Sequence, residues 1–229
     1  CPYSQVIGRS SNEGFRTEAG GSRLNMANHR VGFMSTPFAQ QVPHRIVLPG
    51  MRLRRAHPDD AQAVFEYRGR PECQAYVSQT LTSVEETRTM LKDRLANPDC
   101  VMWVIQNSGR VIGDIGGRRF HPESLGPAPQ EWDFYLGYVL HPDVWGQGLA
   151  TSAVAALVPR LHAAGIRRIN AKVLGPNEGS IRVLLKNGFA LEGCEHAAVL
   201  GRDRTWLDDH LLAHYRDDRN SQSRQGERR

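Results

Sequence analysis

The succession of strand-like and helix-like segments predicts an α/β (α+β) fold, a mixed sheet with helices on both faces. Three observations carry that prediction. Between Met51 and Tyr215 the order reads strand, two helices, three strands, then helix, strand, helix and two strands, which suits a layered arrangement of this kind. Apolar residues switch between a period of two and a helical period along the same stretch. Turn and cap residues fall at the switches.

The elements follow in order. Met51–Arg55 reads as a short strand, and Pro58-Asp59-Asp60 opens a helix carrying Ala61, Val64 and Phe65. Ser83-Val84-Glu85-Glu86 is a capping box, in which the serine hydroxyl and the glutamate carboxylate satisfy each other's orphan backbone donors, and the spacing predicts a helix to about Ala96. Asn107-Ser108-Gly109 separates the strands Val101–Gln106 and Val111–Phe120; Asn and Gly tolerate positive φ, so a hairpin is expected. Trp132–Leu140 is a long strand. Trp132, Phe134, Leu136 and Tyr138 alternate toward a core, while Glu131, Asp133 and Tyr135 face the other side, as a substrate cleft would require. Gly148–Ala164 carries Leu149, Ala153, Leu157 and Leu161 at helical spacing. Pro159 removes a backbone donor inside it, so a kink or an early ending is expected. Arg168–Leu174 is a strand, Glu178–Asn187 a helix stopped by Gly188, and two strands close the domain.

Charge separates that domain from its flanks. The chain has 229 residues and a net charge of +5. Residues 1–50 hold five Arg against Glu13 and Glu18, and residues 216–229 hold five Arg against three acids, which accounts for all of it. The stretch 51–215 is neutral, with 19 basic and 19 acidic residues. A nucleic-acid reader shows its basic footprint on the fold itself, so nucleic acid is disfavoured as a partner. Residues 1–45 lack apolar periodicity and read as a disordered or upstream leader, in which Met34 opens a plausible start. Residues 46–215 form the domain and 216–229 a polar basic tail. No run of about 18 apolar residues and no basic-then-apolar leader is present, so no membrane partner is expected.

Cys1, Cys73, Cys100 and Cys194 stand far apart with no Cys-x-x-Cys pair, which fits neither a zinc site nor a small disulfide framework. Reduced thiols in a cytoplasm, and no metal, are the expectation. His210 and His214 stand four apart without a third ligand and read as exposed strand histidines.

The segment that carries chemistry is Leu140-His-Pro-Asp-Val-Trp-Gly-Gln-Gly-Leu-Ala-Thr151. A strand ends, a glycine loop follows and a long helix begins. Helix N-termini expose unpaired N–H groups and the positive end of the macrodipole, a ready anion site. Gly146 and Gly148 permit close backbone approach and turn dihedrals denied to other residues. The Walker pattern lacks its Gly-Lys-Ser/Thr here, and the Rossmann pattern lacks its third glycine, where Thr151 stands. The residues alone give an anion held at a helix start, or an ordinary glycine turn.

Trp145-Gly-Gln-Gly-Leu-Ala-Thr151 resembles the acetyl-coenzyme A signature of the GNAT acetyltransferases, Gln/Arg-x-x-Gly-x-Gly/Ala, with Asp143 where Gln or Arg is usual. Downstream, Asn177-Glu-Gly-Ser180, Lys186-Asn-Gly-Phe189, Glu192-Gly193 and Trp206-Leu-Asp208 are similar to the ribosomal-protein alanine and serine N-acetyltransferases and the spermidine acetyltransferases, as is Gly137-Tyr138-Val-Leu140. The resemblance covers about 165 residues. It implies a mostly antiparallel sheet of about seven strands with a splayed central pair, and acetyl-CoA as co-substrate. It implies that main-chain groups near Val139 and Leu140 meet the pantetheine arm and that the amides of Trp145, Gly146, Gln147, Gly148, Leu149, Ala150 and Thr151 hold the pyrophosphate. Asn177 would bond the pantetheine.

Where many relatives carry a tyrosine acid this chain has Leu184; the ribosomal branch uses the serine that falls on Ser180. A helix-start hydroxyl satisfying backbone donors is the other reading of Ser180. The base is open among Asp133, Glu195, Asp203 and an ordered water, since the relatives' acid falls on Val199. The acceptor is expected to be a primary amine, a protein N-terminal α-amine first, a polyamine-like or aminoglycoside-like molecule second, with acidic residues in the cleft. A non-catalytic acyl-CoA-binding module is the alternative. Either a monomer or a homodimer is compatible with the sequence.

Overall fold

The computed structural model describes residues 37–216. Most of the expected leader, Met34 included, and nearly all of the tail lie outside them. The described residues form one eight-stranded sheet with helices on both faces: α1 (Phe38–Gln41), β1 (Arg45–Leu48), β2 (Met51–Arg55), α2 (Ala61–Arg68), α3 (Pro71–Gln74), α4 (Val84–Ala96), β3 (Cys100–Asn107), β4 (Arg110–Phe120), β5 (Trp132–Leu140), α5 (Leu149–Ala163), β6 (Ile166–Leu174), α6 (Glu178–Lys186), β7 (Ala190–Leu200) and β8 (Trp206–Tyr215). The strand order is β1-β2-β3-β4-β5-β6-β8-β7. Every neighbouring pair is antiparallel except β5 and β6, because α5 carries the chain back across the sheet between them, as a parallel pair requires.

The domain starts earlier than the composition suggested. Phe38 is fully buried and its ring centroid lies 5.9 Å from that of Phe134. Arg55 Nη2 donates to the carbonyls of Ala39 and Val42 at 2.5 and 3.1 Å, and Trp103 Nε1 donates to Pro43 O at 2.9 Å. One aromatic side chain and three backbone acceptors anchor residues 38–43, a docking that no periodicity in so short a segment could display. β1 is the eighth strand.

Both faces of the sheet are buried at its centre. On one, Trp103, Ile115, Phe134, Leu157, Leu161 and Ile169 pack under α1 and α5. On the other, Val64, Tyr67, Leu91, Met102, Val104 and Val139 pack under α2 and α4. There Arg68 grips Asp114 through two bonds of 2.7 Å, and the Tyr67 hydroxyl donates to the same carboxylate at 2.8 Å.

Local signals are realised with two corrections. Ser108 and Gly109 take positive φ in the β3–β4 turn. Ser83 Oγ accepts from Glu86 N at 3.1 Å, but the Glu86 carboxylate takes the N–H and hydroxyl of Thr82, so half the expected capping box forms. Pro159 does not end α5, which runs on to Ala163. Ala155, whose carbonyl loses its donor to Pro159, lies on the exposed side of the helix.

Candidate active site

β5 and β6 pair over four residues, Trp132–Tyr135 against Ile166 and Arg168–Asn170, and no further. Beyond Tyr135 the strands diverge, and a cavity of about 520 Å³ opens between them and the starts of α5 and α6. The Val139 carbonyl faces β4, 2.6 Å from where a Cβ on Gly113 would stand. Successive residues of a strand point their polar groups to opposite edges, so those of Tyr138 and Leu140 face the cavity. Val139 lines the cavity as expected, but its carbonyl turns to β4, and the main-chain groups on the cavity side are those of its neighbours Tyr138 and Leu140. The Leu140 carbonyl already accepts from Trp145 Nε1 at 2.8 Å and from the buried Cys73 thiol at 3.4 Å. The Tyr138 N–H and carbonyl and the Leu140 N–H are the edge that remains. Burial pushes the Cys73 thiol up to about 11, so it stays protonated as a donor.

At the cavity's other end lies the glycine turn. Gly146 and Gly148 both adopt φ 76°, and Gly148 is the N-cap of α5, with no side chain to bond the helix's first amides. The first intrahelical bond runs from Ser152 N to Gly148 O at 3.0 Å, so the N–H groups of Leu149, Ala150 and Thr151 point out of the helix start as free donors. A side chain at either glycine would carry a left-handed strain that only glycine escapes. Trp145, Gly146, Gly148, Leu149, Ala150 and Thr151 line the cavity. Gln147 does not, and its side-chain Nε2 donates back to Asp143 O at 3.2 Å.

Asn177 and Ser180 meet on the opposite wall. Asn177 Oδ1 caps α6 by accepting from Ser180 N at 3.1 Å, which leaves its NH₂ as the group able to donate elsewhere. The Ser180 hydroxyl is therefore not the helix cap. It lies 2.7 Å from the hydroxyl of Tyr138, which also donates to Ser180 O at 3.2 Å. Burial raises the Tyr138 phenol far above its ordinary value, the bond to Ser180 opposing weakly, so the pair keeps its protons at physiological pH. Tyr138 was expected in the core, where its ring does pack; the signal for its hydroxyl was the polar tip on an otherwise apolar strand face.

The acetyltransferase (GNAT) domain family matches residues 51–190. The chain belongs to the GNAT acetyltransferase family. This acetyltransferase is 30% identical over 148 residues to the uncharacterized N-acetyltransferase YoaA of Bacillus subtilis (strain 168), covering 62% of this chain and 80% of that one. It is 34% identical over 94 residues to the ribosomal-protein-serine acetyltransferase of Escherichia coli (strain K12), covering 41% and 49%. Among solved structures, the RimL ribosomal L7/L12 alpha-N-protein acetyltransferase in complex with coenzyme A superposes with a TM-score of 0.64 at 24% identity, over 75% of this chain and 97% of that one. At that identity the likeness concerns the fold. Acetyl-CoA is the co-substrate of the family.

None of the acetyltransferase's carboxylates among the described residues lines its cavity. Asp133 is buried and gripped by Arg167 through bonds of 3.1 and 2.9 Å, on the paired part of β5; it does not line the cavity and is withdrawn as a base. Glu195 holds Lys172 Nζ at 2.8 Å. Asp203 caps its own turn on Thr205. Among the described residues the cavity wall carries Lys172, Arg182 and Lys186 and, where acid was expected, no carboxylate; Glu195 and Glu178 pair with Lys172 and Arg182 at 2.8 and 2.9 Å from beside it. Arg182 and Lys186, brought in by α6, suit a polyanionic cofactor. The described residues contain no helix long and apolar enough to cross a membrane.

Proposed function

We propose that this acetyltransferase acts on the N-terminal α-amine of a protein. The observation that carries the reading is a cavity wall on which, among the described residues, no carboxylate stands to act as a strong base. An α-amine has a pKa of about 7.7–8.0 and a lysine-like or polyamine nitrogen about 10.4. Near pH 7.5 roughly a third of the former is neutral against about a thousandth of the latter, so an α-amine attacks without a strong base beside it. The curated relative that acts on a ribosomal protein supports the same class of acceptor.

The residues fit the co-substrate. The amides of Leu149, Ala150 and Thr151 hold the pyrophosphate, aided by the α5 dipole. The free edge of Tyr138 and Leu140 and the Asn177 NH₂ bond the pantetheine amides. Acetyl-CoA supplies a thioester, and the amine attacks its carbonyl directly. As the C–S bond breaks and the amide forms, the proton the amine gives up reaches the departing thiolate through the Ser180 hydroxyl, oriented by Tyr138, which takes it up while passing its own on. General acid help of this kind is typically worth about 10²–10⁴-fold.

The test is turnover with a free-amino peptide, the same peptide Nα-blocked but carrying lysine, and spermidine. The free α-amine should give the highest kcat/KM, and a higher value for spermidine or the blocked peptide overturns the reading. In the same assay Ser180→Ala should lower kcat by 10²-fold or more with little change in acetyl-CoA affinity. Unchanged kcat in folded protein removes the acid role.

A further inference from the structure

The β7–β8 hairpin brings together three side chains that sequence spacing keeps apart. Cys194 and His196 lie two apart on β7 and so on one face, and Asp208 comes from β8. Their ligand atoms all lie within 4.8 Å of one another. Cys194 Sγ is 3.8 Å from His196 Nδ1, and that same nitrogen is 3.1 Å from Asp208 Oδ2. The backbone is built around this arrangement. The register slips between Glu195 and Val199, Ala197 takes φ 50°, and its N–H donates to Asp208 Oδ1 at 2.9 Å. One carboxylate oxygen is thereby fixed and the other is aimed at the histidine.

The convergence on a single ring nitrogen decides the chemistry. In a nucleophile relay the thiol and the carboxylate occupy opposite nitrogens of the imidazole, one receiving a proton and one orienting the ring. Here both crowd Nδ1, which has at most one hydrogen to share. A sulfur, a nitrogen and a carboxylate oxygen turned toward one point is instead a coordination set. With metal–ligand bonds of about 2.3 Å to sulfur and about 2.0–2.1 Å to nitrogen and oxygen, a tetrahedron has edges of roughly 3.5 Å between S and N and roughly 3.3 Å between N and O. The observed 3.8 and 3.1 Å need only small adjustment. Opposite Cys194, on the same face of the strand pair, stands His210, whose buried Nδ1 has no hydrogen-bond partner among the described residues.

We propose that Cys194, His196 and Asp208 bind a zinc ion, with solvent in the fourth position. None of the three lines the acetyl-transfer cavity, so the ion takes no part in acetyl transfer. It fixes the bulge below a hairpin tip whose Arg202 donates at 3.0–3.1 Å to the carbonyls of Gln74 and of Val77, a residue of the cavity wall. Binding replaces the Cys194 thiol proton by the metal, and that proton leaves to solvent.

Cobalt(II) in place of zinc reports thiolate ligation through an intense near-ultraviolet charge-transfer band. Full-length protein stripped with a chelator should take up one Co²⁺ per chain with that band, and Zn²⁺ should displace it and raise the melting temperature. Cys194→Ser should abolish the band while Cys73→Ser and Cys100→Ser keep it. His196→Ala should weaken zinc binding by more than the 10–100-fold typical of losing a supporting group. Asp208→Asn, which retains the acceptor for Ala197, should weaken it as well. Absence of the band, a band that survives Cys194→Ser, or zinc affinity indifferent to His196→Ala overturns the proposal and leaves an ordinary Asp–His ion pair beside a thiol.

Discussion

The β3–β4 and β7–β8 hairpins are built from strands of similar length, yet they do opposite work. Through β3 and β4 nearly every residue is buried, with helices on both faces. Through β7 most residues are exposed, the register slips twice, and the strand is the edge of the sheet. The first keeps one charged network in its middle, Arg68–Asp114 with Tyr67, fully enclosed and fully bonded. The second displays its charges in pairs open to water, such as Lys172–Glu195 and His196–Asp208. Where neighbours cover both faces, a polar group persists only if all its bonds are made. At the edge, backbone irregularity is tolerated and can aim side chains.

The strongest way to break this contrast is to open the central network. Asp114→Ala leaves Arg68 as an uncompensated buried charge, a loss of about 3–5 kcal/mol. Denaturant melts should show it as a fall in the unfolding midpoint, and a loss below about 1 kcal/mol would mean that the centre is as forgiving as the edge. The next effect concerns ligand rather than fold. Gly148→Glu places a carboxylate, at φ 76°, where the pyrophosphate would sit. Saturation at 100 times the Kd stabilises by about 2.7 kcal/mol, and the acetyl-CoA-induced melting shift should vanish in the variant. A full shift in folded Gly148→Glu would move the anion site elsewhere.

The smallest effect belongs to β8. His214 Nδ1 lies 2.9 Å from His162 Nε2, and burial, then the neighbouring imidazole, lowers its pKa from 6.5. A histidine depressed in the fold binds its proton more readily when unfolded, so its contribution is present above the unfolded value and lost as pH falls from there through the lower folded value. The melting temperature should drop between pH 7.5 and 5.5, and less so in His214→Phe. Equal pH slopes in the two proteins would dismiss the histidine pair as the source.

Sequence legibility followed the same division. The glycine turn was readable because Gly146 and Gly148 meet a local backbone demand that no tertiary contact has to supply. Ser180 and Asn177 were readable as a motif, but not the partner of the Ser180 hydroxyl, since Tyr138 reaches it across from β5, 42 residues away. Asp133 misled because alternation assigns a face and says nothing of Arg167, 34 residues away. Phe38 was missed for want of a period, and Cys194, His196 and Asp208 because a bulge, not a spacing, assembles them.

The short β5–β6 pairing has a mechanical consequence. Two stiff plates, β1–β5 and β6–β8, share a seam of four residue pairs, and beyond it nothing but side chains spans the gap. A cofactor arm bonded to both lips lengthens that seam. The rigidity it adds is then not confined to its own contacts. It reaches the whole β7–β8 edge through β6, so an acceptor arriving after acetyl-CoA meets a firmer mouth than one arriving before it.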